Sequence, residues 1–236
     1  ALITLGAHDE AVVVLEKCIE LDPAQPQALS NLATHYANEG EIERARDYVR
    51  RAPPTPGLAT KLATVMRPVS ASLLELFKER IELVFRILTH TPEKLLDPVT
   101  QVEQVHFYLP YAGLNDRPIQ EALCSLYVKS TPSLTYTFNK KRSSRRIGFI
   151  SKFFGEHEPH GLLLEGVIQH LPFTTVLLPI ASPGRDASVA LQRGADEIVR
   201  LGLNYLENRQ AIIQANLDVL VYADLHSEPM SYYLGV

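Results

Sequence analysis

Apolar and polar positions follow one rhythm over the first half of this chain and another after about residue 145. The first rhythm is helical. Leu29, Leu32 and Tyr36 form one stripe. Leu73, Leu74, Phe77, Ile81, Val84, Phe85 and Leu88 recur at threes and fours and predict a helix over 70–88 with one apolar face. Ile119, Leu123, Leu126 and Tyr127 predict a helix over 118–129 with these residues inward and a proline well placed in its first turn. The segment PPTPG at 53–57 interrupts the pattern, and QVEQVHFYLPYAGLNDRPIQ is an aromatic-rich stretch ending in a polar turn. Then the period shortens. RIGFIS at 146–151, FTTVLLPI at 173–180, 198–201 and DVLVYA at 218–223 read as strands, separated by helices over 160–171, 186–196 and 205–215. Short apolar strands alternating with helices predict a parallel, doubly wound sheet. The fold class is therefore α followed by α/β: helical repeats, then a Rossmann-like parallel sheet.

The amino-terminal helices carry a repeat. A shift of 34 residues brings Gly6 onto Gly40, Ala11 onto Ala45, Leu15 onto Val49, Cys18 onto Ala52 and Pro23 onto Gly57. Small residues at the head of each packing face let two helices approach closely, and the glycines fall where a helix must stop and turn. This period, with the segment EKCIELDPAQPQAL, resembles the tetratricopeptide repeat; an unrelated helical hairpin is the alternative. Such repeats bind peptides or organise partners through their architecture, which by itself names no ligand.

The chain has 236 residues, 46% hydrophobic and 21% charged, with a formal net charge of −4. That composition excludes disordered, collagenous and disulfide-framework classes, and the charge gives no global basic field for nucleic acid. Five positive charges fall in the seven residues KKRSSRR at 140–146, but no aromatic residues interleave them, and a solvated linker is the simpler reading. No apolar run approaches the roughly 20 residues of a membrane span. Two widely spaced cysteines, Cys18 and Cys124, form no metal or redox motif. No membrane partner and a cytoplasmic, reducing location are the expectation. Ala1 and Val236 fall inside apparent elements, which suggests part of a longer chain.

Ligands of open parallel sheets bind outside the carboxyl ends of the strands. Two loops leave such ends with reactive side chains: SKFFGEHEPHGLLLEG after Ile150, and ADLHSEPMSYYLG after Tyr222. In the first, Gly155 permits a tight turn and a helix opens near His160, offering free N–H groups to phosphate or carboxylate. His157 has the chemistry to donate to a substrate oxygen or to take a proton near neutral pH; the plain alternative is a surface histidine. His157 and His160 lack a third ligand, so no metal is expected. No G-x-G-x-x-G follows the first strand, which disfavours ordinary dinucleotide binding. In the second loop, Asp224 would face the same cleft as His157 if the two strands are neighbours; a turn or capping Asp is the plain alternative.

The repeats, the connector FYLPYAGLNDRPIQEALCSLY, then RRIGFISKFFGEHEPHGLLLEGVI and LDVLVYADLHSEPMSYYLGV occur in an order that resembles the O-GlcNAc transferase/SPINDLY family of glycosyltransferases, particularly its bacterial-type branch. The resemblance implies repeats at 1–57, a helical connector at 58–144 and the amino-terminal lobe of a two-lobed GT-B enzyme at 145–236. It implies transfer of N-acetylglucosamine, or fucose in SPINDLY-type members, from a nucleotide sugar such as UDP-GlcNAc to Ser/Thr of protein acceptors guided by the repeats, with inversion and without a metal or other cofactor. His157 matches the family's loop histidine at the cleft and is the catalytic candidate. Gly155 and Asp224 are the substrate-binding candidates, although Ala223 stands where the family more often has another small residue or proline. His160 matches no assignable residue. The family's next segment and its second lobe would lie beyond Val236, so the 236 residues alone are expected to transfer little or no sugar. The competing reading is a non-catalytic interaction scaffold; another is a related transferase acting on other acceptors, such as asparagine.

Overall fold

The computed structural model describes residues 8–53, 56–103, 105–135, 145–182 and 186–236. Gly6 and residues 140–144 of the basic run lie outside them. The chain forms two compact units, Ala1–Pro132 and Ser133–Val236, so the repeats and the helical connector share one unit.

The first unit opens with α1 (His8–Leu21), α2 (Pro26–Asn38) and α3 (Ile42–Arg51), each packed on the next. Gln25 caps α2 through its side chain, with Pro26 following in the first turn. Gly40 closes α2 at φ +81°, a left-handed conformation that a Cβ would disfavour. Leu29, Leu32 and Tyr36 are buried, as are Ala11, Ala45 and Val49, so the repeat's packing faces meet as the spacing predicts. Cys18 is the exception. It is exposed at the same repeat position where Ala52 packs on the core. The Tyr36 and Tyr48 rings stack at 5.4 Å, and Arg44 lies 3.8 Å over the Tyr36 ring. The Tyr36 hydroxyl donates to Glu16 at 3.1 Å, tying all three helices together.

The connector adds α4 (Leu58–Thr64), α5 (Leu73–Thr89), α6 (Pro98–Gln101) and α7 (Arg117–Ser130). Gly57 enters α4 at φ +91° with the Gln101 carbonyl so close that a Cβ would collide with it. On α7, Ile119, Leu123, Leu126 and Tyr127 are all buried. α5 begins with Ser72 accepting from Glu75 N–H, but its predicted apolar face is not the face it buries. Arg80, Leu83 and Ile87 point inward, while Leu73, Leu74, Phe77, Ile81, Phe85 and Leu88 are exposed. Cations fix the helix in place. Arg80 reaches Asp116 at 2.7 Å and the Asn115 carbonyl at 2.9 Å, which gives the polar LNDR turn its structural task. Arg86 donates to the carbonyls of Ala63 and Val65.

In the second unit, β1 (Arg146–Ser151), α8 (Pro159–His170), β2 (Thr174–Pro179), α9 (Val189–Gly194), β3 (Glu197–Ile198), α10 (Tyr205–Gln214) and β4 (Val219–Tyr222) follow in turn, and α11 (Pro229–Gly235) comes last. The sheet is wholly parallel in the order β3-β2-β1-β4, with Ile150 opposite both Leu178 and Tyr222. β3 is shorter than 198–201 and is continued by a single bridge, Ile180 to Leu201. Phe149 and Leu177 pack on one face of the layer with Phe154, Ile168 and Leu191. Gly148 turns to the other face, where a Cβ would run into Leu217 and Leu178. Arg146 spans the amino-terminal edge of the layer to grip both carboxylate oxygens of Glu197 at 2.6 and 2.8 Å.

Candidate functional site at the carboxyl end of the sheet

Successive strands β2 and β3 are laid down on one side of β1, and β4 returns to the other. The crossovers therefore diverge between β1 and β4, the topological switch point at which open α/β sheets bind ligands. Both reactive loops leave this end of the layer, because β1 and β4 are parallel neighbours.

Asp224 sits at the switch point. It is 2% exposed, two residues beyond β4, where the Ala223 N–H still bonds the Ile150 carbonyl at 3.1 Å. Its Oδ2 accepts from the Ser151 hydroxyl at 3.1 Å and from the Lys152 N–H at 2.9 Å, which fastens the start of the β1–α8 loop to the end of β4. Ser151 Oγ in turn accepts from Phe153 N–H. The other carboxylate oxygen, Oδ1, is buried and has no hydrogen-bond partner among the described residues. A buried carboxylate oxygen without a partner is costly, which makes Asp224 a candidate contact for a bound molecule.

The loop from β1 presents its residues differently. Gly155 does not need glycine's freedom: its φ is not positive, and a Cβ there would meet Glu158 only at ordinary contact distance. The left-handed residue of the turn is His157 itself, exposed and held at φ +65°. A non-glycine L-residue in that conformation costs about 1–2 kcal/mol, and such strain collects at functional sites. Gly155 instead lines a cleft of about 270 Å³ with Lys152, Ala181, Asp186 and Arg200. Arg200 and Asp186 form an ion pair at 3.1 Å, and the guanidinium together with the Ala187 N–H holds the Asp186 carboxyl below its ordinary range.

α8 begins two residues beyond His157, at Pro159, and no side chain caps its amino end. Its first N–H groups and its dipole favour an anion. His160 lies in that first turn, half-buried against Phe153 at 5.5 Å, with a buried Nδ1 that makes no hydrogen bond among the described residues. No group of three His, Cys, Asp or Glu residues suited to a metal occurs among the described residues.

Three residues of this end escaped the sequence reading. Ser151 and Lys152 carry the Asp224 contact, and only the rule that ligands gather at strand ends would have flagged them. Glu228 caps α11 by accepting from Met230 N–H at 2.9 Å and from Ser231 N–H. The dipeptide Glu228-Pro229 is a helix-start signal inside what reads as a loop.

The fold thus defines a tetratricopeptide-type helical unit and a Rossmann-like α/β unit whose switch point falls between β1 and β4. A family model described as tetratricopeptide repeat matches residues 2–57. No curated protein matches the chain by sequence. Among solved structures, a mutant of the O-GlcNAc transferase from Thermobaculum terrenum is similar over 98% of this chain at 16% identity, with a TM-score of 0.51. The match covers 39% of that chain, so the present chain spans well under half of its neighbour's length. The chain combines tetratricopeptide repeats with a fold similar to that of an O-GlcNAc transferase over nearly its whole length. Among the described residues no helix is long and apolar enough to cross a membrane.

Proposed function

We propose that this chain forms the repeat-bearing, acceptor-side part of a protein O-glycosyltransferase that moves N-acetylglucosamine from UDP-GlcNAc to Ser/Thr hydroxyls. The observation that carries the reading is the buried, half-used carboxylate of Asp224 at the switch point. Its buried, unpartnered Oδ1 is an acceptor suited to a hydroxyl of the bound sugar or of the acceptor, reached once a ligand uncovers it. The diphosphate belongs near cationic groups or helix starts, where the charge that develops on the leaving group is stabilised. His157, displayed on its strained turn, orients the donor or acceptor and is the candidate to take the hydroxyl proton. Gly155 lets the ligand approach the loop backbone. The repeats guide a polypeptide acceptor, and no metal enters the chemistry.

The test is transfer of labelled sugar to a Ser/Thr peptide by a complete protein carrying this chain, with UDP-GlcNAc and GDP-fucose compared and a chelator added in parallel. The reading expects UDP-GlcNAc-dependent label that survives the chelator, and little or none from the 236 residues alone. Absence of transfer and of nucleotide-sugar binding by the complete protein would favour the scaffold reading, which the repeat match supports.

A further inference from the structure

α5 is apolar over far more of its surface than its own unit covers. At about 100° per residue, its core face and its exposed stripe together span roughly 200° of the helix. The core face is Leu83 and Ile87 with Arg80 beside them. The exposed stripe holds Leu74, Phe77, Ile81, half-buried Val84 and Leu88, spaced 3-4-3-4, with Leu73 and Phe85 at its margins. Leu73 is 71% exposed, Ile81 69% and Phe85 65%. Alternating threes and fours are the spacing of a seam that packs against another helix, and a single apolar surface against solvent would not need it.

We propose that this stripe pairs with the same stripe of a second copy, the two α5 helices lying antiparallel about a two-fold axis at Ile81. The stripe is self-complementary under that operation. A two-fold at Ile81 sets Leu74 opposite Leu88 and Phe77 opposite Phe85. The polar margin is complementary too: Lys78 and Glu82, both exposed, fall on one edge, and the axis brings Lys78 of each copy within about one turn of Glu82 of the other. The area is sufficient. The six exposed apolar residues present on the order of 700 Å² per copy, above the largest patch of an ordinary monomer and close to the roughly 800 Å² per partner of a stable interface.

Sedimentation of the 236-residue chain tests the pairing, with Ile81→Lys as the variant. Ile81 is exposed, so the variant keeps the monomer's fold, which its circular dichroism and unfolding midpoint check. The chain is expected to dimerise at tens of micromolar or below, and Ile81→Lys to weaken dimerisation at least 100-fold. In a Cys18→Ser background, Ile81→Cys is expected to form a covalent dimer on mild oxidation, while Leu73→Cys, opposite Thr89 in this register, does not. A monomer at 100 µM, or a dimer indifferent to Ile81→Lys, overturns the proposal. So does equal cross-linking of Leu73→Cys, which means another register. A monomer whose Ile81→Cys thiol resists alkylation overturns it as well, because the face is then covered from within the chain itself.

Discussion

The cations buried in the first unit and the Asp224 carboxylate buried in the second are used in opposite ways. In the first, the buried or half-buried cations spend themselves on the fold. Arg80 is held by Asp116 and a carbonyl, Arg86 by two carbonyls, and Lys61 by the Thr34 hydroxyl at 2.8 Å with Glu103 at 3.7 Å. Lys61's burial pulls its ammonium below the ordinary lysine range. In the second unit, the buried carboxylate of Asp224 gives one oxygen to Ser151 and Lys152, while the other is buried without a partner among the described residues. A charge fully used by its own chain holds structure together. A charge half used, at the strand ends where ligands of α/β layers gather, is where we propose that another molecule binds.

The sharpest break of this contrast is at Arg80. Arg80→Ala leaves Asp116 without its cation and is expected to cost about 3 kcal/mol of stability, read as a lower urea midpoint. A loss within experimental scatter would mean that the first unit's cations are not structural.

His157 stands on the other side of the comparison. His157→Ala is expected to lower transfer at least 100-fold in a complete enzyme without loss of stability. His157→Gly should lose activity as well and raise stability by about 1 kcal/mol, because glycine accepts the left-handed turn without strain. A variant that stays active removes the imidazole from the site.

The smallest effect lies in the repeat. Burial and the bond to Glu16 push the Tyr36 hydroxyl up to about 12. The folded state therefore keeps this proton where the unfolded state loses it. The contribution is complete below pH 10 and disappears as pH rises from 10 to 12. Tyr36→Phe should flatten the alkaline fall of the urea midpoint in that window. An unchanged slope would assign the fall to other groups.

These contrasts also mark what the sequence could reveal. The strands were legible because Phe149, Ile150 and Val176 to Leu178 are buried, and continuous apolar runs announce such strands. The inward face of α7 was legible because that helix has one apolar stripe. α5 has two, and periodicity locates stripes without saying which of them meets the core; Arg80, charged yet buried, decided it. At the site, Asp224 and the β1–α8 loop could be named, but their bond joins residues 72 positions apart and follows from the parallel pairing of β1 with β4. Glycine's habit misled at the turn, where the left-handed position falls on His157 rather than Gly155.

The central claim is that Asp224 keeps Oδ1 for substrate. Asp224→Asn tests it most directly, since the amide oxygen can still accept from Ser151 and Lys152 while a donor replaces the open acceptor. With sugar transfer and the unfolding midpoint measured on the same complete protein, the account predicts a fall in turnover of about 100-fold or more with stability changed by less than about 1 kcal/mol. Full activity in the asparagine variant, or activity lost only in step with stability, would contradict it.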